Sequence, residues 1–419
     1  MPLHLADTFI SFRHRNYRLF FLGQTISLVG TWMQSVAQSW LVLLLTNSAF
    51  MLGLVGALGT LPILLFSFWA GVIADHTDRR RLLIFTNSAG LLLALILGIL
   101  VVGHWVALWH IMVLAFGLGT TMAFDIPGRQ SFIVELVGKS DLPNAIALNS
   151  GLFNGTRILG PAMAGLLIAS VGLANCFFLN ALSFLAPLVG LTLMRLDTPA
   201  VSRPVPRIWT SMRELHIYLR IHSELFWIMI IMSATSIFAL SYMVLMPKIA
   251  RDILGSGVQG YGFLMTATGL GAFMGALALA NRIRHHPPMF FFVGGNILLC
   301  LALFIFSCIH NYYWALLFLF LAGFGMSTQV SSGNSLIQLN VPDELRGRVM
   351  SLFSLTFVGS IPLGSILFGT LAHYWDTCLT VRLGAGTAGV LTLVIFWRVA
   401  KLRKLDFREM AYEGKSGEK

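Results

Sequence analysis

Long apolar runs separated by short polar connections make up most of this 419-residue chain. Each run has about 20 residues, the length that a helix needs to cross a bilayer. Backbone N–H and C=O groups cannot stay unpaired in hydrocarbon, so a spanning chain forms helices or a closed barrel. The runs lack the short alternating segments of barrel strands. With 11% charged residues and a mean hydropathy of +0.80, the chain is predicted to be an all-α membrane protein.

Hydropathy predicts twelve transmembrane helices. They lie near residues 17–45, 50–74, 82–103, 107–127, 143–169, 174–194, 223–250, 258–281, 289–309, 312–335, 347–372 and 379–399. The sequence after the fourth and tenth spans is polar but compatible with a helix, so both spans are open to extension there.

The basic residues predict the orientation of these spans. With the N-terminus inside, 24 of the 28 Lys and Arg residues fall in cytoplasmic segments, as positively charged loops do. The net charge of +11 therefore follows from topology. The sequence has no basic surface interleaved with aromatic residues, the pattern that would indicate nucleic-acid binding. We expect both termini in the cytoplasm, a lipid bilayer around the chain and no nucleic-acid partner.

The longest connection divides the chain into two parts. Residues 195–222 carry three prolines and five arginines, a composition typical of a linker. They separate an N-terminal half, 1–194, from a C-terminal half, 223–399, each with six spans. A cytoplasmic tail, 400–419, follows. We predict that the linker also lies in the cytoplasm.

The two halves resemble each other in sequence pattern. Residues 141–148 and 344–351 each begin a helix after an acidic residue, and each is followed by a face rich in glycine and proline. A duplication of this kind predicts two pseudo-symmetric six-helix halves related by an axis along the membrane normal.

A short charged turn, residues 71–83, connects the second and third spans. It resembles the signature loop of the major facilitator superfamily, G-x-L-a-D-r-x-G-r-k-x-x-l. Gly71, Asp75 and Arg79 match this pattern, whereas Asp78 stands where a glycine usually lies. The corresponding stretch of the second half, 275–284, keeps the glycine and the basic residues but lacks the aspartate.

Further stretches are similar to the enterobactin-exporter-like efflux branch of this superfamily. They are residues 12–21, 30–40, 127–130 and 154–161. The resemblance covers nearly the whole chain and implies the major facilitator fold. It also implies transport by alternating access, with proton antiport as the expected coupling.

The resemblance assigns a conformational role to the charged turn. In the family, the matching aspartate and arginine join an acidic residue at the cytoplasmic end of the fourth helix. This implies a latch of Gly71, Asp75, Arg79 and Asp125 that holds the outward-facing state and breaks as the protein turns inward. The alternative is that the arginines only set the topology.

Arg157 is predicted to lie near the middle of the membrane, about 20 Å along the fifth span. An ionised side chain there is costly unless it faces a wet cavity or a partner. Binding of an anionic substrate and a structural role against helix carbonyls and amides both remain open. The same span carries Gly151, Gly160, Pro161 and Gly165, similar to the glycine–proline motif of antiporter-type exporters. Small residues permit close helix packing and proline removes a backbone donor. The resemblance to that motif implies export.

The first span has a polar stripe on an arc of about 100°. Its members are Gln24, Ser27, Thr31, Gln34, Ser35 and Gln38. Such a face must look into the bundle or into water. Gln34 and Gln38 are the predicted substrate contacts, with interhelical hydrogen bonding as the alternative. Further candidates by position are Asn149, Asn154, Ser236, Tyr242, Gln329 and Asn334.

Several kinds of chemistry have no counterpart in the sequence. It has no phosphate-cradling G-x-x-x-x-G-K-[ST] motif, no catalytic constellation and no metal-ligand spacing among its four cysteines. We expect no enzyme, no cofactor, no metal and no disulfide. The first span has no carboxylate, so the sequence identifies no proton carrier.

Together these features predict a monomeric secondary transporter of the bacterial inner membrane. The expected substrate is an amphipathic small molecule, a siderophore or drug-like compound, moved outward. One alternative is a transporter of lysophospholipid or another lipid-like amphiphile. A second alternative is a sensor or scaffold that transports nothing.

Overall fold

The computed structural model describes residues 9–195, 223–282 and 287–403. These residues form helices joined by short connections, and none of them lies in a β-strand. The predicted linker, 195–222, and tail, 400–419, lie almost wholly outside the described residues. Their predicted places stay predictions.

Six helical segments follow one another in the first half. A 3₁₀ turn, Ile10–Arg13, precedes α1 (Arg15–Thr46), α2 (Ala49–His76) and α3 (Arg79–Val102). The long helix Leu108–Val171 bends at Gly138, whose φ of 71° is left-handed. We call the segment before Gly138 α4 and the segment after it α5. α6, Leu173–Leu193, is interrupted at Phe184.

The second half repeats this order. It contains α7 (Leu225–Ile253), α8 (Gly257–Arg282), α9 (Pro288–Phe306), α10 (Tyr312–Asn340), α11 (Asp343–Val358 with Ile361–Tyr374) and α12 (Thr377–Arg403). In the described residues, 11 helices are long and apolar enough to cross a membrane. Because Leu108–Val171 is two segments counted once, the twelve predicted spans are confirmed.

The fourth predicted span ends too early. The prediction stopped at residue 127, whereas α4 continues as a helix to the bend at Gly138. The extension places Arg129 inside a helix, two residues past the predicted end of the span. α10 likewise continues to Asn340, five residues past its predicted end. Both extensions carry polar side chains that pair within their own helix, as Arg129 does with Asp125 and Gln338 with Asn334.

The helices form two compact units. The first lies within Met1–Val205 together with Ser256–Thr266, and the second within Pro206–Gly255 together with Ala267–Lys419. The first turns of α8 therefore group with the first unit. Close backbone packing explains this: a Cβ added to Gly262 would lie 2.9 Å from the Cα of Gly165 on α5.

The N-terminal turn is fastened to the connection between α4 and α5. In this connection, outside the two spans, Asp141 Oδ2 lies 2.9 Å from Arg13 Nη2 and 2.8 Å from His14 Nε2. Asn144 Oδ1 accepts from the backbone N–H of Ser11 at 3.1 Å. The His14 hydrogen bond, helped by the Arg13 charge, lowers the pKa of the Asp141 carboxyl below its ordinary value.

Candidate functional site

The turn between α2 and α3 contains a helix cap. Asp78 is the N-cap of α3, and its Oδ1 accepts from the backbone N–H groups of Arg80 at 2.9 Å and Arg81 at 3.2 Å. Asp is among the residues preferred at this position because the first N–H groups of a helix lack intrahelical partners. The cap accounts for an aspartate where the superfamily pattern has glycine.

An ion pair joins this turn to α4. Arg79 Nη1 is bonded to Glu135 Oε1, and the two side chains are 18% and 31% exposed. Arg80 Nη2 donates to the carbonyl of Thr192 on α6 at 3.0 Å. We call Arg79 and Glu135 the outer pair. Among the carboxylates whose side chains are described, Arg79 bonds to Glu135, whereas the predicted latch had Asp125 as the acidic residue of the fourth helix.

Two further predicted latch residues, Gly71 and Asp75, lie on α2 before the turn. Asp75 lies in the last turn of α2, and its side chain is outside the described part of the structure. A Cβ added to Gly71 would meet no atom within 4 Å, so close packing does not require a glycine here. Sequence reasoning missed Glu135 because it ended the fourth span at residue 127.

An apolar layer lies one turn deeper. Leu83 of α3 and Phe132 of α4 are fully buried, and Phe20 of α1 packs edge-on against Phe132 with ring centroids 5.8 Å apart. Leu83 follows Arg79 by one helical turn, and Phe132 precedes Glu135 by about one. The layer therefore separates the outer pair from the polar groups beyond it.

A second ion pair lies beyond this layer. Arg129 Nε is 2.6 Å from Asp125 Oδ2, and Arg129 Nη1 donates to Gln24 Oε1 of α1 at 3.0 Å. On α3, Thr86 Oγ1 and Asn87 Nδ2 donate to Asp125 Oδ1 at 3.1 and 3.4 Å. We call Asp125 and Arg129 the inner pair. Their side chains are 17% and 19% exposed, so the pair is largely shielded.

A cavity of about 30 Å³ adjoins the inner pair. It is lined by Gln24, Ser27, Leu28, Thr31, Thr86, Asn87, Leu118, Thr121, Met122, Asp125, Arg129 and Phe184. A polar cavity of this size has room for at least one water molecule. Half of the polar stripe predicted on α1 thus faces this space inside the first unit.

The second unit has a neutral network at the corresponding place. Thr235 Oγ1 on α7 accepts from Asn296 Nδ2 of α9 at 2.6 Å and from Gln329 Nε2 of α10 at 2.9 Å. Asn296 and Asn87 each lie eight residues after the first residue of their helix. Gln329 and Asp125 each lie seventeen residues after theirs. Gln329, a predicted substrate contact, therefore takes the place of Asp125 and is fully buried.

The predicted packing motif of α5 is used in part. A Cβ on Gly160 would collide with the Cβ of Trp32 and lie 3.0 Å from the carbonyl of Val29 on α1. A Cβ on Gly165 would lie 3.1 Å from the carbonyl of Gln259 at the start of α8. Gly151 has open space around it. Gly160, Pro161 and Gly165 thus permit close helix packing, whereas Gly151 does not contribute to it.

Arg157 lies beside an aromatic ring of α1. Its guanidinium carbon is 5.9 Å from the centre of the Trp32 ring, within the range of a cation–π interaction. The side chain is partly exposed, like that of Asn154, which donates to the carbonyl of Ser150 on its own helix at 2.9 Å. Asn149 is also partly exposed.

Gln34 and Gln38, the two glutamines of α1 predicted to contact substrate, lie in different surroundings. Gln34 is 3% exposed and accepts from Asn180 Nδ2 of α6 at 2.6 Å. This bond favours the alternative role, interhelical hydrogen bonding. Gln38 is partly exposed.

The remaining candidates belong to the second unit. Ser236 is fully buried and donates to the carbonyl of Phe357 on α11 at 2.7 Å. Tyr242 is 1% exposed. Asn334 is partly exposed, and its Oδ1 accepts from Gln338 one turn later.

Comparison with known proteins agrees with this architecture. The family model described as transmembrane secretion effector matches residues 6–416. The staphyloferrin A transporter of Staphylococcus aureus is 25% identical, with 94% of this chain and 98% of the relative covered. The multidrug efflux pump Tap of Mycolicibacterium fortuitum is 26% identical, covering 90% and 94%.

Two further comparisons concern the efflux branch and the fold. The enterobactin exporter EntS of Salmonella typhi is 26% identical, with 93% of this chain and 94% of the relative covered. The crystal structure of a bacterial homolog of the human lysosomal transporter Spinster superposes with a TM-score of 0.69 at 15% identity, covering 95% and 97%. The chain belongs to the transmembrane secretion effector family, and it is a multi-pass transporter of the major facilitator superfamily and not an enzyme.

Proposed function

We propose that this chain exports an amphipathic small molecule, a siderophore or drug-like compound, across the bacterial inner membrane by alternating access. The observation that carries the proposal is similarity along nearly the whole chain to a staphyloferrin A transporter, an enterobactin exporter and a multidrug efflux pump. Their names cover two substrate classes, so a siderophore and a drug-like compound are both part of the proposal.

Proton antiport is the proposed coupling. The family model covers the transport core, and the chain lacks a phosphate-cradling motif that would bind ATP. The distribution of Lys and Arg supports cytoplasmic termini. The protein is proposed to work as a monomer because each six-helix unit has its own packed core.

The proposed substrate contacts are the partly exposed polar side chains. They are Gln38, Asn149, Asn154, Arg157 and Asn334. The buried candidates Gln34, Ser236 and Gln329 use donors or acceptors for bonds to protein groups, and Tyr242 is buried with them. We assign this second group a supporting role, because a group already bonded inside its unit must break that bond to reach a substrate.

The outer pair is proposed to be the conformational latch. Arg79 and Glu135 connect the turn after α2 to the cytoplasmic end of α4, so the pair opposes movement of these elements apart. Asp75 and Gly71 are proposed to complete the latch on the α2 side. Asp125 is assigned to the inner pair instead.

A transport assay tests the proposed function. Purified protein is reconstituted in liposomes with an imposed pH gradient, and radiolabelled staphyloferrin A, enterobactin, a macrolide and a lysophospholipid are supplied separately. Gradient-dependent movement of a siderophore or the macrolide, absent from protein-free liposomes, is expected. Movement of the lysophospholipid alone would establish the lipid alternative, and movement of no probe would favour a sensor or scaffold.

Arg157 provides a test of substrate charge. If its guanidinium binds an anionic group, Arg157→Gln should abolish movement of an anionic probe and spare a neutral one. Equal loss of both would show that the contact with Trp32 serves the packing of α1 and α5. Ser170→Ala is a suitable control, because Ser170 is an exposed residue of the same helix, donates to the carbonyl of Leu166 and is not among the proposed substrate contacts.

A further inference from the structure

We propose that Asp125 is the group that binds and releases the coupling proton. The inference rests on the proposed proton antiport and deepens it, since the sequence identifies no carrier. It follows from where the carboxylate lies, from which groups face it and from what occupies the matching place in the second unit.

Asp125 differs from the other described carboxylates in its position. Six carboxylates have described side chains: Asp78, Asp125, Glu135, Asp141, Asp252 and Asp376. Asp78 caps α3, Glu135 belongs to the outer pair, Asp141 lies in the bend after α4, and Asp252 and Asp376 lie at helix ends. Among these six, Asp125 alone lies within a bundle of spanning helices, about 11 Å along α3 from Arg79 at the level of Thr86 and Asn87.

The Asp125 carboxylate is surrounded mostly by uncharged groups. α1 contributes Gln24, α3 contributes Thr86 and Asn87, and α6 contributes the ring of Phe184. Among the described residues that line the cavity, Arg129 is the one charged group that faces Asp125. An ionisable group in the bilayer is costly, and where it persists it marks a relay or an ion path. The adjoining cavity has room for a water molecule that could hand over a proton.

Gln329 stands in the second unit at the place that Asp125 has in the first. The second unit builds the same helix arrangement with an amide at this place and an asparagine, Asn296, that corresponds to Asn87. The six-helix arrangement therefore does not require an ionisable group there. Unlike the amide of Gln329, the carboxylate of Asp125 carries a charge and can bind and release a proton.

The proton can be followed through a cycle. In the structure the Arg129 guanidinium lies 2.6 Å from the carboxylate and forms an ion pair with it, so we assign this arrangement to the state that has released the proton. If Arg129 moves away, Asp125 is left among neutral groups, and binding one proton removes its charge. Arg129 keeps its own charge and its bond to Gln24. When Arg129 returns, the carboxylic acid passes its proton to a water molecule in the adjoining cavity and pairs with the guanidinium again, and the substrate moves in the opposite sense.

The apolar layer supports this assignment. Leu83 and Phe132 are fully buried between the inner pair and the outer pair. They separate the carboxylate from the charged groups of the cytoplasmic turn. A proton carrier must not be open to both sides at once, and a sealed layer of this kind provides the barrier.

Two measurements on Asp125→Asn test the proposal. In liposomes, accumulation driven by a pH gradient should fall by about tenfold, whereas exchange of labelled for unlabelled probe without a gradient should stay within about twofold of the wild type. The probe is whichever of staphyloferrin A, enterobactin or the macrolide the wild type moves. Asp376→Asn is the matched control, since asparagine can also cap α12, and it should leave both activities unchanged.

Infrared difference spectroscopy supplies a readout that needs no substrate. A carboxylic acid C=O band that titrates with pH in the wild type should be missing from Asp125→Asn and present in Asp376→Asn. If the band persists in Asp125→Asn, or if gradient-driven accumulation survives, the proposal is overturned. Equal loss of accumulation and exchange would make Asp125 structural and would also overturn it.

The spectroscopic result separates two failures. If the wild type moves no probe yet shows the Asp125 band, the proposed function fails and protonation of Asp125 stands. If the wild type moves a probe with a pH gradient but Asp125 shows no band, the carrier is another group. Should Asp125→Asn fold poorly, the double variant Asp125→Asn with Arg129→Gln leaves neither charge unpaired and is measured in its place.

Discussion

The inner pair of the first unit and the Thr235 network of the second unit occupy matching places in two related six-helix bundles. In the first, Asp125 and Arg129 carry opposite charges and draw in Gln24, Thr86 and Asn87. In the second, the hydroxyl of Thr235 accepts from two neutral amides. The helix scaffold is common to both, and the charge is found in one.

Backbone packing, by contrast, is shared. Gly160 lets α5 approach α1, and Gly364 lets α11 approach α7, where an added Cβ would lie 2.7 Å from the carbonyl of Ile237. Close approach of helix backbones is a requirement of any bundle in lipid. The comparison therefore separates close backbone packing, which both units keep, from the charged pair at this place, which the first unit has and the second replaces with neutral amides.

The largest effect is expected from breaking the inner pair. Arg129→Gln should lower the free energy of unfolding by about 3 kcal/mol, because it leaves the Asp125 carboxylate shielded and unpaired. Thermal unfolding of the purified protein in detergent measures this. Arg81→Gln is the control, since that arginine is 88% exposed and lies 3.5 Å from Asp78. Equal destabilisation by both variants would show that the shielded inner pair stabilises the fold no more than the exposed Arg81–Asp78 contact does.

A smaller effect is expected from the neutral network. Thr235→Val keeps the side-chain shape but removes the acceptor of two buried donors, at a cost of about 2 kcal/mol. The same unfolding assay measures it. Thr86→Val in the first unit removes one of several donors to Asp125 and should cost less. A larger loss of unfolding free energy for Thr86→Val than for Thr235→Val would contradict this prediction.

The shared packing predicts matched losses in both units. Gly160→Ala and Gly364→Ala should each cost about 1.5 kcal/mol, because a new methyl group would overlap neighbouring backbone or Cβ atoms. Gly151→Ala meets no atom within 4 Å and should be neutral or slightly stabilising. Unfolding temperatures of the three variants in one detergent decide this. Tolerance of alanine at Gly160 alone would mean that the units do not share this contact.

The smallest effect concerns the N-terminal turn. The folded-state pKa of Asp141 is lowered, so its contribution to stability is present above the unfolded-state value and is lost as the pH falls through the folded-state value. The difference in unfolding temperature between wild type and Asp141→Asn should therefore exist at neutral pH and vanish in acid. A difference that grows on acidification would contradict the Arg13 and His14 pairing.

Much of this arrangement could be predicted from sequence. Twelve helices followed from hydropathy because a backbone in lipid has few other ways to pair its polar groups. Asp125 and Arg129 are four residues apart, a spacing that predicts an ion pair once α4 is extended past residue 127. Asp78 also carries a readable signal, since an aspartate directly before a helix is a common N-cap.

Other features could not be predicted in this way. Gln34 and Asn180 are 146 positions apart, and no periodicity within either helix indicates their bond. The predicted latch joined Asp125 to Asp75 and Arg79 as the acidic residue of the fourth helix, but the choice between Asp125 and Glu135 depends on where α4 lies against α3. Both carboxylates are on α4, and only their depth relative to the turn distinguishes them.

By itself, the sequence determined the all-helical membrane fold, the order of the spans and membership of a transporter family, because these depend on local composition and on patterns within single segments. The tertiary structure decided which polar side chains bond inside a unit, which carboxylate faces which arginine, and that the charged pair of one unit has a neutral counterpart in the other. The physical reason is that a polar group in lipid must find its partner on a neighbouring helix, and that partner is set by helix depth and rotation.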